Sequence, residues 1–113
     1  MTVKELTLSR DFSAVTLSNP DRILSGIYAC DLLSRAMVKA KKDDAWLTIM
    51  SNVNVIAVAT LSDVSCIILT EDVTLDDHVL LLATERNVNV VSTALTTAEA
   101  AARINKLIKT YEC

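Results

Sequence analysis

Glycine is nearly missing from this chain: Gly26 stands alone among 113 residues. Loops that wrap phosphate in backbone amides need several glycines, because only glycine bends and approaches that closely. A Walker loop and a dinucleotide fingerprint are therefore both excluded, and no cofactor is expected. His78 is the lone histidine, Pro20 the lone proline, and aromatics are only 4% of residues. Three cysteines, Cys30, Cys66 and Cys113, form no CxxC pair. An odd, sparse set argues for a reducing compartment and against a disulfide framework. Apolar runs fall well short of the roughly 20 residues that span a bilayer. The start, MTVKELTLSR, lacks the apolar stretch of a signal peptide. A cytoplasmic protein without membrane contact is expected.

What is present is aliphatic. Hydrophobic residues make up 51% of the chain and charged ones 22%. One domain, residues 1–113, accommodates this length. Small domains have little interior, so so large an apolar share implies leftover surface for a partner. The formal charge is −3, from 11 basic and 14 acidic residues. The densest basic run, Lys39, Lys41 and Lys42, suits the end of a helix, and nucleic acid is not an expected partner.

Short β-branched runs alternate with helical patterns, as βα units do. Ala45–Met50, Val64–Thr70 and Asn87–Ser92 fit buried strands. A helix over 31–41 places Leu32, Leu33, Ala36, Met37 and Ala40 on one face, with Asp31 as N-cap. A second helix starts at Thr74–Asp77 and carries Val79, Leu80, Leu82 and Ala83. Thr96 and Glu99 make a capping box opening a last helix to about Lys109, with Ala98, Ala101, Ala102, Ile108 and Tyr111 at its apolar positions. Residues 53–61 read as a strand by propensity. Their place between two parallel strands demands a crossover, so a helix is the preferred reading. A helix apolar all round has more than one covered side, which makes Val53, Val55, Ile56 and Val58 candidates for a dimer interface. The first 20 residues are less regular: Val3–Leu8 suggests a short helix, Phe12–Ser18 an edge strand, and Asn19-Pro20-Asp21 a turn. Ile23–Cys30 reads as a strand leading into the Asp31 helix.

The segment Asp21-Arg22-Ile23-Leu24-Ser25-Gly26, followed by Ile27-Tyr28-Ala29-Cys30-Asp31-Leu32-Leu33-Ser34, resembles the DRTGG domain family. Further matching stretches are Ala45–Ile49, Asn54–Ala59, Cys66–Thr70 and Val91–Thr93. The likeness covers roughly 20–110. Ser25 stands where the family has threonine, and Ile27 where it has a second glycine. The resemblance implies an α/β fold: a single layered domain with a mainly parallel sheet flanked by helices, similar to the N-terminal domain of HPr kinase/phosphatase. Related modules accompany phosphotransacetylases and CBS-domain pyrophosphatases as regulatory or dimerising parts. Here the implied function is a non-catalytic regulatory and dimerisation module, a homodimer without an attached enzyme. The alternative is an adaptor docking on a separate kinase or metabolic enzyme.

Open α/β sheets bind ligands beyond the carboxyl ends of their strands. Candidate contacts to a small anionic metabolite or nucleotide are Asp21, Arg22, Ser25, Gly26, Asp31, Asn52, Thr70, Ser92 and Thr93. Asp31, Asn52 and Thr93 equally suit helix caps and turns. Arg22 could grip a phosphate in forked geometry or pin its own loop to an acid. Cys30 beside Asp31 is the weakest option, a small enzyme's nucleophile, since no histidine lies near in sequence. Glu71, Asp72, Asp76, Asp77 and His78 are dense in acid but lack the spacing and glycine of a calcium loop, so no metal site is expected.

Overall fold

The computed structural model describes residues 1–112, with side chains to Tyr111. Five strands form one sheet: β1 (Ser13–Thr16), β2 (Gly26–Ala29), β3 (Asp44–Thr48), β4 (Cys66–Leu69) and β5 (Val90–Ser92). Five helices accompany them: α1 (Val3–Leu6), α2 (Leu33–Lys39), α3 (Val53–Ser62), α4 (Asp77–Glu85) and α5 (Thr97–Glu112). The strand order is β1-β5-β4-β3-β2. Strands β2 to β5 run parallel, and β1 closes one edge antiparallel to β5, with Ser13 opposite Ser92.

Strands β3 and β4 are buried along their whole length, so they show no polar alternation, as expected for a sheet covered on both faces. Their side chains still alternate. Trp46, Ile67, Leu69 and Val90 point to one face, where they meet Ala36 of α2, Val55, Ile56 and Ala59 of α3, and Val79 and Ala83 of α4. Ala45, Leu47, Cys66, Ile68 and Val91 point to the other, against Val3 and Leu6 of α1 and Ala100, Ile104 and Ile108 of α5. The result is a three-layer α/β/α arrangement around two aliphatic cores. Trp46 is fully buried, and its indole N–H donates to the Cys30 carbonyl at 3.0 Å, which meets its one polar need.

The first 20 residues are tied down more firmly than their weak pattern suggests. Thr2 and Glu5 form a reciprocal capping box, and Val3 and Leu6 are wholly buried. The turn at Asn19 is held by a buried partner the sequence did not advertise. Asn89 accepts from the Asn19 amide at 2.9 Å and donates to its carbonyl at 2.7 Å and to that of Ser65 at 3.0 Å.

Residues 53–61 are helical, as the crossover argument requires. The dimer candidates within them need correction. Val55, Ile56 and Val58 are at most 4% exposed, because the chain's own core takes them up. Only Val53, 40% exposed, could touch a second molecule. Asp31 does not cap α2 either. The N-cap position falls on Leu32 with no side-chain bond, since the Asp31 carboxylate is held across the chain by Thr48 and Ile49. The last helix opens on the expected box: the Glu99 amide donates to Thr96 Oγ1 at 3.2 Å and the Thr96 amide to Glu99 Oε1 at 3.0 Å. Its inward face, however, is Ala100, Ile104 and Ile108, while Ala98, Ala102 and Tyr111 are exposed.

One glycine must serve a chain with many turns, and the structure shows how. Asp43, Asp63, Glu71, Asp72 and Asn87 all adopt positive φ, from 53° to 69°. Four of the five are Asp or Asn, the side chains that tolerate the left-handed region best.

Candidate functional site

The predicted ligand residues divide between opposite ends of the sheet. Asp21, Arg22, Ser25 and Gly26 lie at the amino ends of the parallel strands; Asp31, Asn52, Thr70, Ser92 and Thr93 lie at or just beyond the carboxyl ends. A single small ligand cannot span both groups, because four strand residues extend roughly 13 Å.

At the amino end the residues build structure. The Arg22 guanidinium pairs with Asp43 at 3.1 Å and with Asp63 at 2.9 Å, and donates also to the Asp63 carbonyl. Of the two roles open to Arg22, the loop pin is the one the geometry fills. The cleft beside it, lined by Thr60, Asp63, Arg86 and Asn87, holds only about 80 Å³, space for a few waters. Gly26 does not supply a backbone cradle. It lies in β2 opposite Asp44 and has no positive φ. A Cβ there would stand 2.5 Å from Asp44 Oδ1. Asp44 is 8% exposed, and its other oxygen accepts the Lys41 amide at 2.8 Å. The glycine makes room for a nearly buried carboxylate.

At the carboxyl end several candidates are likewise occupied. Asp31 Oδ1 accepts from Thr48 Oγ1 at 2.8 Å and from the Ile49 amide at 2.9 Å, which braces the end of β3. Thr70 is fully buried and shares a 2.8 Å hydrogen bond with Thr97, joining β4 to α5. Thr93 accepts from the Leu95 amide at 3.1 Å. The loops after β4 and β5 are stitched together by the Glu71 amide on the Leu95 carbonyl and the Asp72 amide on the Thr93 carbonyl.

Two hollows remain. One, about 270 Å³, sits where β1 and β5 meet and is lined by Arg10, Asp11, Ser13, Asp72, Ser92 and Thr93. Asp11 within it is paired with Arg103. The larger, about 380 Å³, lies beyond the end of β3, between the starts of α3 and α4. Its lining combines apolar Ile49, Met50, Val53 and Val79 with polar Ser51, Asn52, Asp76 and His78. That volume and that mixture suit a small-molecule site. Asn52 caps α3 by accepting from the Asn54 amide at 3.0 Å. Two helix starts therefore face this groove; that of α3 favours negative charge, while that of α4 already carries the Asp76 and Asp77 carboxylates. Among the predicted residues, Asn52 and the dimer candidate Val53 line it. His78 was noticeable as the lone histidine, but the acids around it suggested a solvated helix start.

The two described thiols differ. Cys66 is buried, and that burial pushes its pKa up to about 12, against a smaller lowering by Arg22. Cys30 is half-buried, and its Sγ reaches the Leu32 carbonyl at 3.8 Å. No base accompanies it among the described residues, so the arrangement of an activated nucleophile is missing there. Burial also raises the Tyr28 pKa, reinforced by its neighbour Cys30. Cys113 lies outside the described residues. Among those described, no three His, Cys, Asp or Glu side chains converge as metal ligands, and no helix is long and apolar enough to cross a membrane.

The DRTGG domain model matches residues 14–107. The chain belongs to the DRTGG domain family. No curated protein matches the sequence. Among solved structures, this DRTGG domain is similar to the CBS and DRTGG domains of the regulatory region of Clostridium perfringens pyrophosphatase, crystallised with its activator, diadenosine tetraphosphate. The TM-score is 0.61 at 16% identity, over 81% of this chain and 40% of that one. At that identity the likeness concerns the fold, and this DRTGG domain spans less than half the length of its neighbour.

Proposed function

We propose that this DRTGG domain is a non-catalytic regulatory module that binds a small anionic metabolite, of nucleotide or polyphosphate type, and answers by changing its association with itself or with a partner enzyme. The observation that carries this reading is the groove between α3 and α4. It offers apolar walls for a base or sugar, hydrogen-bonding Ser51 and His78, and the start of α3, which has no acid in its first turn, for negative charge. The pyrophosphatase regulatory region, which shares the fold, was crystallised with a nucleotide activator, and this supports the same ligand class. A bound metabolite shifts the module only if it prefers one arrangement.

Thermal melting with ATP, ADP, diadenosine tetraphosphate and pyrophosphate tests the reading. A ligand at 100 times its Kd adds about 2.7 kcal/mol to apparent stability. The expected result is a rise in Tm with at least one of them, reduced by His78→Ala, an exposed substitution that leaves the core intact. No rise with any of the four, or a rise indifferent to His78→Ala, counts against the groove.

A further inference from the structure

We infer that the hollow of about 270 Å³ beside β5 is a second ligand site, fitted to a small zwitterionic metabolite of the free amino-acid type, with its carboxylate on Arg10 and Thr93 and its ammonium on Asp72. The site is separate from the α3–α4 groove and takes a different class of ligand.

Its place in the sheet is the first support. Helices α2, α3 and α4 cover one face, and α1 and α5 the other. The chain therefore leaves β4 towards one face and the adjacent β5 towards the opposite one. That is the switch point of the sheet, and ligands of open α/β sheets bind outside the carboxyl ends of strands at such points. The hollow lies there. Asp72 belongs to the loop after β4, residues 92–95 end β5 and begin its loop, and Arg10, Asp11 and Ser13 lead into β1. The Asp72 amide donates to the Thr93 carbonyl at 3.0 Å and so fixes one wall to the other.

The lining chemistry is the second support. Three charged side chains line the hollow, and one is already engaged: Asp11 pairs with Arg103. The side chains of Arg10 and Asp72 carry opposite charges and join no hydrogen bond or ion pair among the described residues. Thr93 is 4% exposed, and its Oγ1 accepts the Leu95 amide at 3.1 Å while donating to no described group. A buried hydroxyl with an unused proton calls for an acceptor. A guanidinium and a hydroxyl thus await a carboxylate, and an unpaired carboxylate awaits a cation. A polyanion fits poorly, because Asp11 and Asp72 outnumber the one unpaired guanidinium and like charges repel. Carboxylate recognition by a guanidinium also needs no glycine-rich cradle, which this chain lacks. The hollow is smaller than the pockets of drug-sized ligands, which restricts it to a molecule of few heavy atoms.

Amide NMR titration of the whole chain with the proteinogenic L-amino acids, one at a time, is the test. At least one should move the Asp72, Thr93 and Leu95 amides and leave those of Asn54 and His78, beside the other groove, in place. Arg10→Ala and Asp72→Asn, both at exposed positions, should each raise its Kd about tenfold or more. The N-acetylated and the amidated forms of that amino acid should bind as weakly, since each lacks one charge. Arg35→Ala, the same loss of charge on α2 outside the hollow, should leave the Kd alone. The site is overturned if no amino acid moves these amides at millimolar concentration, if either substitution in the hollow leaves the Kd unchanged, or if the N-acetylated form binds as well as the free one. Shifts confined to Asn54 and His78 overturn this site and leave the groove standing.

Discussion

Gly26 and Asp44 face each other across β2 and β3, and the carboxylate of one occupies the space where a side chain on the other would stand. Gly26→Ala therefore forces a clash in a nearly buried position. The expected loss is about 1–3 kcal/mol by analogy with overpacked cores, read from chemical denaturation. Asp44→Ala should cost stability too, since the Lys41 amide loses its acceptor. The double variant should lose less than the two single losses added together, because the clash is gone. Strict additivity would show that the two residues do not interfere.

Arg22 bridges two acids that both sit in left-handed turns, Asp43 and Asp63, one before β3 and one just past α3. Its guanidinium is only 21% exposed, and hydrogen bonds to charged groups are the stronger kind. Arg22→Ala should lower stability by about 2 kcal/mol. Arg22→Lys should recover little, since one ammonium cannot fork between two carboxylates. Neither change should alter nucleotide affinity, measured by calorimetry at a temperature where both variants are folded. A selective loss of affinity would return Arg22 to the ligand site.

These two pairs show what the sequence could and could not reveal. The βα rhythm, the Thr96–Glu99 box and the helical 53–61 were legible because their signals are local or follow from connectivity. The resemblance carried by Asp21–Ser34 pointed to the right family. It also drew Arg22 and Asp31 into one imagined site, although the strand between them sends them to opposite ends. Asp31 was mistaken for a cap because its partners, Thr48 and Ile49, come from the next strand. On helix α5 Ile108 and Ala101 do pack on the core, but Ala98, Ala102 and Tyr111 face out and Ala100 and Ile104 face in, because alanines populate several of its faces and apolarity alone does not mark the inward one. The α3–α4 groove was missed for a related reason: it forms from loops 49–53 and 76–79, which no spacing rule links.

Thiol chemistry separates the two described cysteines. A thiol is uncharged when protonated, and burial lifts the Cys66 pKa from 9.0 to about 12. The folded state therefore holds this proton more tightly than the unfolded state. Its contribution to stability is complete below about pH 9 and is lost as pH rises towards 12. At mildly alkaline pH, iodoacetamide should label Cys30 well before Cys66, as located by peptide mass mapping. Cys66 should react only under conditions that unfold the chain. Equal labelling rates in the native state would contradict its burial.

The capping box gives a prediction of the opposite sign. Hydrogen bonds from the Thr96 backbone and side chain hold the Glu99 pKa below its usual value. A depressed carboxylate stabilises the fold above its unfolded pKa and loses that effect as pH falls through the folded one. Thr96→Ala should cost about 1 kcal/mol near neutral pH. The gap in stability between wild type and Glu99→Gln should narrow on acidification, followed by melting at successive pH values. A gap that stays constant would mean that charge on Glu99 adds nothing to the cap.

Among the described residues Glu71 is the one outside Asp and Asn held at positive φ, at 57°. The left-handed region costs an ordinary L-residue about 1–2 kcal/mol, and glycine escapes that cost. The Glu71 side chain is exposed, while its amide bond to the Leu95 carbonyl is kept by any residue except proline. Glu71→Gly should therefore stabilise the protein by about 1 kcal/mol after glycine's greater unfolded freedom is deducted, a Tm rise of about 4–8 °C for a domain of this size. Glu71→Ala keeps the Cβ and should leave Tm close to that of the wild type. A drop in Tm for Glu71→Gly would mean that the glutamate side chain itself holds the loop between β4 and α4, and that its backbone conformation is not the costly element.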